Sequence, residues 1–132
     1  MRFPRALLDE VIEHAREDMP NECCGIVASD DGAAVKVFRA TNAEASPVRY
    51  SLDPREQYRI TMDIEEQGWD LGAIYHSHTR SEAYPSQTDV NLAFYPDALY
   101  VIVSVRDPDH PEVRAFRIAD ERIEEIELPV ED

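Results

Sequence analysis

A chain of 132 residues is the size of one domain, and residues 1–132 are expected to fold as a single unit. Hydrophobic residues make up 43% of it and are spread along its length, which supports a packed core and excludes a disordered chain; no apolar run approaches the roughly 20 residues of a membrane span. With 28 acidic residues against 13 basic ones the formal net charge is −15, and no Lys/Arg stripe offsets it, so nucleic acid and anionic membranes are excluded as partners.

The first element is a helix. Pro4 suits a first helical turn, Leu7, Leu8, Val11, Ile12, Ala15 and Met19 recur at helical spacing, and Pro20 stops the run. Charges fall in every turn of this stretch, so it does not read as a signal peptide, and the cytoplasm is the expected location. His14 on this helix, like His110 later in the chain, is expected at the surface. Cys23 and Cys24 are adjacent and would close a strained ring if joined; with no third cysteine a disulfide is excluded, and both read as small apolar residues entering a buried strand. That strand is CCGIVAS, followed by the turn signal DDG and the strand AVKVFRA. VRYSL, after a polar loop holding Pro47, is expected as a third strand.

Asp53, Pro54 and Glu56 mark a helix start, as cap, first-turn proline and capping-box acid, and the helix runs to Gly68. WDLGAIYHSH reads as a strand, QTDVNLAFY as a short helix closed before Pro96, and ALYVIVSV as a central strand. VRAFRI and RIEEIEL complete the set after the turn DPDHPE. The order α-β-β-β-α-β-α-β-β-β predicts an α/β protein of α+β type, a mixed, largely antiparallel sheet flanked by helices.

The chemistry concentrates in YHSHTRSEAYPSQTDV. His76 and His78 are two apart, so on an extended backbone both imidazoles share one face. Asp89 follows eleven residues after His78, in the first turn of the short helix, where the loop can return it to the strand end. Two imidazoles and one carboxylate form the three-ligand set of a catalytic zinc, with a fourth position left for water. Each half has an ordinary reading too: HxH at a strand end is a weak signal, and Ser86-x-x-Asp89 is a common helix start with Ser86 as cap.

Together, HSH, seven residues, Ser, two residues and Asp resemble the signature of the JAMM, or MPN+, metallopeptidases. That family carries an upstream glutamate, and NECCGIV puts Glu22 in its place. The resemblance covers nearly the whole chain and implies the family's fold, a curved, cytidine-deaminase-like sheet. ECCG with AYPSQTDV is most similar to the bacterial branch acting on sulfur-carrier proteins. It implies zinc on His76, His78 and Asp89, Glu22 as the base that takes the water proton and returns it to the leaving amine, and Ser86 as donor to the oxyanion. The implied partner is a ubiquitin-like sulfur-carrier protein, cysteine being removed from its C-terminal Gly-Gly end in cysteine biosynthesis. Alternatives are an (iso)peptidase on other ubiquitin-like tails or peptides, a non-catalytic MPN scaffold, and a purely structural zinc site. Thr79 stands where many family members have proline, a departure that bears on loop shape. Monomer and homodimer both remain open.

Overall fold

The computed structural model describes residues 1–132. A two-residue strand, β1 (Phe3–Pro4), leads into helix α1 (Arg5–Asp18), whose buried face is Leu8, Val11, His14 and Ala15. His14 is thus in the core, contrary to the surface position expected of it. Its Nδ1 lies 2.7 Å from the Tyr75 hydroxyl and its Nε2 3.3 Å from Asp18.

Strands β2 (Cys24–Asp30) and β3 (Ala33–Ala40) form a hairpin. Asp31 and Gly32 both take positive φ, 50° and 77°, the backbone a tight two-residue turn requires. Both cysteines are buried and free, and burial raises the pKa of each thiol, as fits inert core residues.

The third strand expected at VRYSL does not form. Residues 43–52 are a loop closed by a single bridge between Asn42 and Leu52. The Asn42 side chain takes the Ser51 N–H and the Arg49 carbonyl, so these groups are not free to join a ladder. Helix α2 (Pro54–Glu66) starts at Asp53, which accepts from the Arg55 and Glu56 N–H groups. Glu56 does not complete a capping box; its carboxylate reaches the N–H and hydroxyl of Thr41 instead.

Strand β4 (Asp70–His78), helix α3 (Gln87–Asn91) and strand β5 (Leu99–Ser104) follow, and α3 lies in the crossover between two parallel neighbours. Strands β6 (Glu112–Ala119), β7 (Arg122–Ile126) and the two-residue β8 (Val130–Glu131) end the chain. The main sheet runs β3-β2-β4-β5-β6-β7, antiparallel except for β4–β5, and a register shift at residues 27–29 bends β2. The pairing of β1 with β8 was not foreseen from sequence.

Side-chain alternation divides the core between the two sheet faces. Val27, Ala73, Tyr75, Val101 and Val103 pack beneath α1, while Ile26, Ile74, Tyr100, Ile102 and Phe116 pack beneath α2 with Ile60 and Ile64. His76 and His78 share the parity of Ile74, so both emerge on the α2 face. No helix is long and apolar enough to cross a membrane.

Candidate metal centre

The two histidines end β4, a central strand whose last six residues are all buried. His76 is 1% exposed, and its ring stacks on Tyr50 at a centroid distance of 4.3 Å. Asp89 is brought to them by α3. Ser86 is the N-cap and Asp89 the N3 residue of a full capping box: the Ser86 Oγ accepts the Asp89 N–H at 3.1 Å, and the Asp89 Oδ2 accepts the Ser86 N–H at 2.9 Å. The helix-start reading of Ser86-x-x-Asp89 therefore holds, and that helix start is also what aims the carboxylate at the two imidazoles.

Three atoms converge. His76 Nε2 and His78 Nε2 are 3.1 Å apart, and they lie 3.2 and 3.0 Å from the Asp89 Oδ2. A tetrahedral ion with bonds near 2.0–2.1 Å holds its donors about 3.3 Å apart, so this triangle fits a divalent metal on three ligands. The tautomer agrees. His78 Nδ1 lies 2.8 Å from the Glu82 carbonyl, which can only accept, so Nδ1 carries the hydrogen and neutral His78 offers the Nε2 lone pair. With Nε2 free of hydrogen, as a metal ligand must be, its lone pair would face the Asp89 carboxylate, an arrangement a shared cation relieves. His76, His78 and Asp89 are all buried and form a cluster able to hold a metal.

Charge follows this packing. Burial lowers the His76 pKa against the pull of Asp89. Burial also acts to lower that of His78, but the Asp89 carboxylate and the Glu82 carbonyl raise it overall. Burial alone would raise the Asp89 carboxyl, yet the two imidazoles and the Ser86 N–H hold it well below the usual carboxylate range.

Glu22 lies two residues before the neighbouring strand β2. Cys24 pairs with His76, and the Ser77 N–H donates to the Cys23 carbonyl at 3.1 Å, so the same register sets Glu22 across from His78 on the metal face. It is 4% exposed, and its Oε1 has no hydrogen-bond partner. Burial pushes its pKa up to about 7, with His78 acting to lower it and Asp89 to raise it. Ser77 faces the other way, as expected, with its Oγ accepting the Cys23 N–H at 2.8 Å. Ser86 is exposed at the edge of the cluster. Its Oγ receives the Asp89 N–H, which leaves the hydroxyl hydrogen uncommitted.

Residues 4–119 match the family model described as prokaryotic homologs of the JAB domain. The chain belongs to the prokaryotic JAB, or JAMM, family. It is a JAMM-type hydrolase, similar to the CysO-cysteine peptidase of Mycobacterium tuberculosis at 46% identity over 121 residues, 90% of this chain and 83% of the relative. It is also 40% identical over 103 residues to a desampylase of Haloferax volcanii, covering 73% of this chain and 74% of that protein. Among solved structures, a Desulfitobacterium hafniense protein superposes with a TM-score of 0.90 at 33% identity, over 100% of this chain and 94% of the other.

Two features of this JAMM site escaped the sequence reading. Tyr50 covers His76 and separates it from a largely apolar cavity lined by Leu52, Ile74, Leu92, Phe94 and Tyr100. Thr79 donates from Oγ1 to the Pro47 carbonyl at 2.9 Å and so ties the end of β4 to the 43–52 loop. The contact accounts for Thr79 as a determinant of loop shape, but nothing in the sequence names its partner.

Proposed function

We propose that the protein is a zinc-dependent peptidase that removes cysteine from the C-terminal Gly-Gly end of a ubiquitin-like sulfur-carrier protein. The observation that carries this reading is the 46% identity, over 90% of the chain, to a CysO-cysteine peptidase. The converging Nε2, Nε2 and Oδ2 atoms supply the chemistry it needs. His76, His78 and Asp89 would hold zinc, the neutral tautomer of His78 being fixed by the Glu82 carbonyl. Bound there, the ion would serve as a Lewis acid able to lower the pKa of water to about 7.

The remaining steps belong to the chain. Glu22, with one carboxylate oxygen unpartnered beside His78, takes the proton of the attacking water and returns it to the departing cysteine amine. Its raised pKa, near 7, suits a group that must both accept and release a proton at neutral pH. The free hydroxyl hydrogen of Ser86 is donated to the oxyanion that develops on the glycine carbonyl. Burial of the cluster keeps bulk water from competing for these contacts.

The test is the intact mass of a carrier protein ending in Gly-Gly-Cys, incubated with the zinc-loaded protein and, separately, with Glu22→Gln. Loss of one cysteine residue with the native protein alone is expected, and the variant should retain its zinc. A rate unchanged in Glu22→Gln would refute the proton-transfer role. The similarity to a desampylase favours a second reading, an isopeptidase acting on other ubiquitin-like tails. A zinc-loaded protein that leaves the Gly-Gly-Cys carrier intact but cleaves an isopeptide-linked conjugate would establish that reading instead.

A further inference from the structure

Asn42 is buried at the base of the loop beside Glu22, 7% exposed, with all four of its side-chain hydrogen-bonding valences filled. Its Nδ2 donates to the Glu22 carbonyl and to the Arg49 carbonyl, each at 3.0 Å. Its Oδ1 accepts the Glu44 N–H at 3.0 Å and the Ser51 N–H at 3.2 Å. The orientation of the amide is forced, because carbonyls only accept and backbone N–H groups only donate. Its own carbonyl accepts the Ala45 N–H at 3.0 Å, closing a turn in which Ala45 takes a φ of 46°.

The loop that Asn42 folds returns to Glu22 from the other side. Ser46 offers its carbonyl to the Glu22 N–H at 2.9 Å. The backbone of Glu22 is therefore held at both polar groups by one short segment: its C=O by the Asn42 side chain, its N–H by Ser46. Glu22 precedes the first residue of β2, where ladder hydrogen bonds would otherwise fix it. Thr79, next to His78, grips the same segment at Pro47. Glu22 and the ligand-bearing end of β4 are thus tied to a common loop.

We infer that Asn42 is a positioning residue for Glu22, its bond to the Glu22 carbonyl setting the carboxylate over the metal face and its bonds to Glu44, Arg49 and Ser51 shaping the loop. This rests on the proton-transfer reading of Glu22 above. The carboxylate itself has an unpartnered oxygen, so its aim depends on its backbone rather than on side-chain bonds. Misplacing a reacting group by about 1 Å can cost on the order of a hundredfold in rate.

Two variants separate the halves of the amide. Asn42→Asp keeps an acceptor for Glu44 and Ser51 but can donate to neither Glu22 nor Arg49; Asn42→Ala removes both functions. In zinc-loaded protein acting on the Gly-Gly-Cys carrier, both variants are expected to lower kcat by roughly ten- to a hundredfold, with KM and bound zinc unchanged. Amide hydrogen exchange of Cys23, whose N–H shares a peptide unit with the Glu22 carbonyl, should quicken in Asn42→Asp by about tenfold or more, while amides deeper in β2, such as Ile26, stay protected. Native kcat in Asn42→Asp with a loss confined to Asn42→Ala would overturn the inference and leave Asn42 as a loop-shaping residue. Unchanged protection of the Cys23 amide in Asn42→Asp would overturn it as well. A native protein inert on the carrier would sink the carrier reading alone, because the exchange measurement decides the role of Asn42 without turnover.

Discussion

A single oxygen of Asp89 both completes the start of α3 and faces two imidazoles, so fold and site meet in one atom. Replacing Asp89 by Ala leaves the Ser86 cap on the residue-89 N–H intact and costs the helix start at most about 1 kcal/mol. The same change removes one of the three proposed ligands. Metal affinity is expected to fall by at least about a hundredfold, since loss of an outer-shell partner alone costs ten- to a hundredfold. Zinc content after dialysis measures this, and a full complement of zinc in Asp89→Ala would refute the ligand role. At this scale His76, His78 and Asp89 were legible because spacing alone puts them on one face and one helix turn. Glu22 was legible only through its likeness to a family pattern; physically it depends on a pairing register between segments far apart in the chain, with Cys24 opposite His76 as the nearby marker. Asn42 and the burial of His14 were not legible. Each depends on partners brought by other elements, Glu22 for the one and Tyr75 for the other.

Among elements, β2 and β4 are fitted to each other by a missing side chain. Gly25 pairs directly with Tyr75, and a Cβ at Gly25 would lie 2.4 Å from the Tyr75 ring and hydroxyl. The ring cannot swing away easily, because it is fully buried and its hydroxyl is bonded to His14 on α1. Gly25→Ala is therefore expected to destabilise the fold by about 1–3 kcal/mol, the usual range for overpacking a tight core. Urea unfolding would measure it, and a midpoint equal to the native one would show that the sheet can open at this point without cost. Tyr75 lies on the α1 face, away from the proposed ligands, so the protein's capacity to take up zinc should be unchanged. Elements bounded by strong local signals were readable: the Asp53 cap, the DDG turn and the apolar run of β5 all fall where the sequence puts them. VRYSL misled because alternation of residue types does not reveal that a side-chain amide has already taken its backbone groups. The strands β1 and β8, two residues each, are too short to leave any periodic signal.

Over the whole molecule, an excess of fifteen negative charges on a domain of 132 residues makes self-repulsion a general term against compactness. The surface pairs seen, including Arg114 with Glu125 and Arg5 with Asp132, occupy only a few of the 28 acidic groups. Salt should therefore stabilise the protein. Raising NaCl from about 0.05 to 1 M shortens the screening length from roughly 14 to 3 Å, and the melting temperature is expected to rise. A fall would mean that the few attractive pairs outweigh the excess repulsion. The pairing of β1 with β8 has a mechanical consequence. The two strands are parallel, with Phe3 opposite Val130 and the Phe3 N–H on the Pro129 carbonyl at 2.8 Å. Tension applied between the two chain ends therefore pulls these strands along their length in opposite directions, a shearing geometry in which the bonds share the force instead of peeling one after another. A motor hauling on either end would meet that clasp, and the buried Phe3 plugged beneath it, before it could reach the strands that carry the histidines.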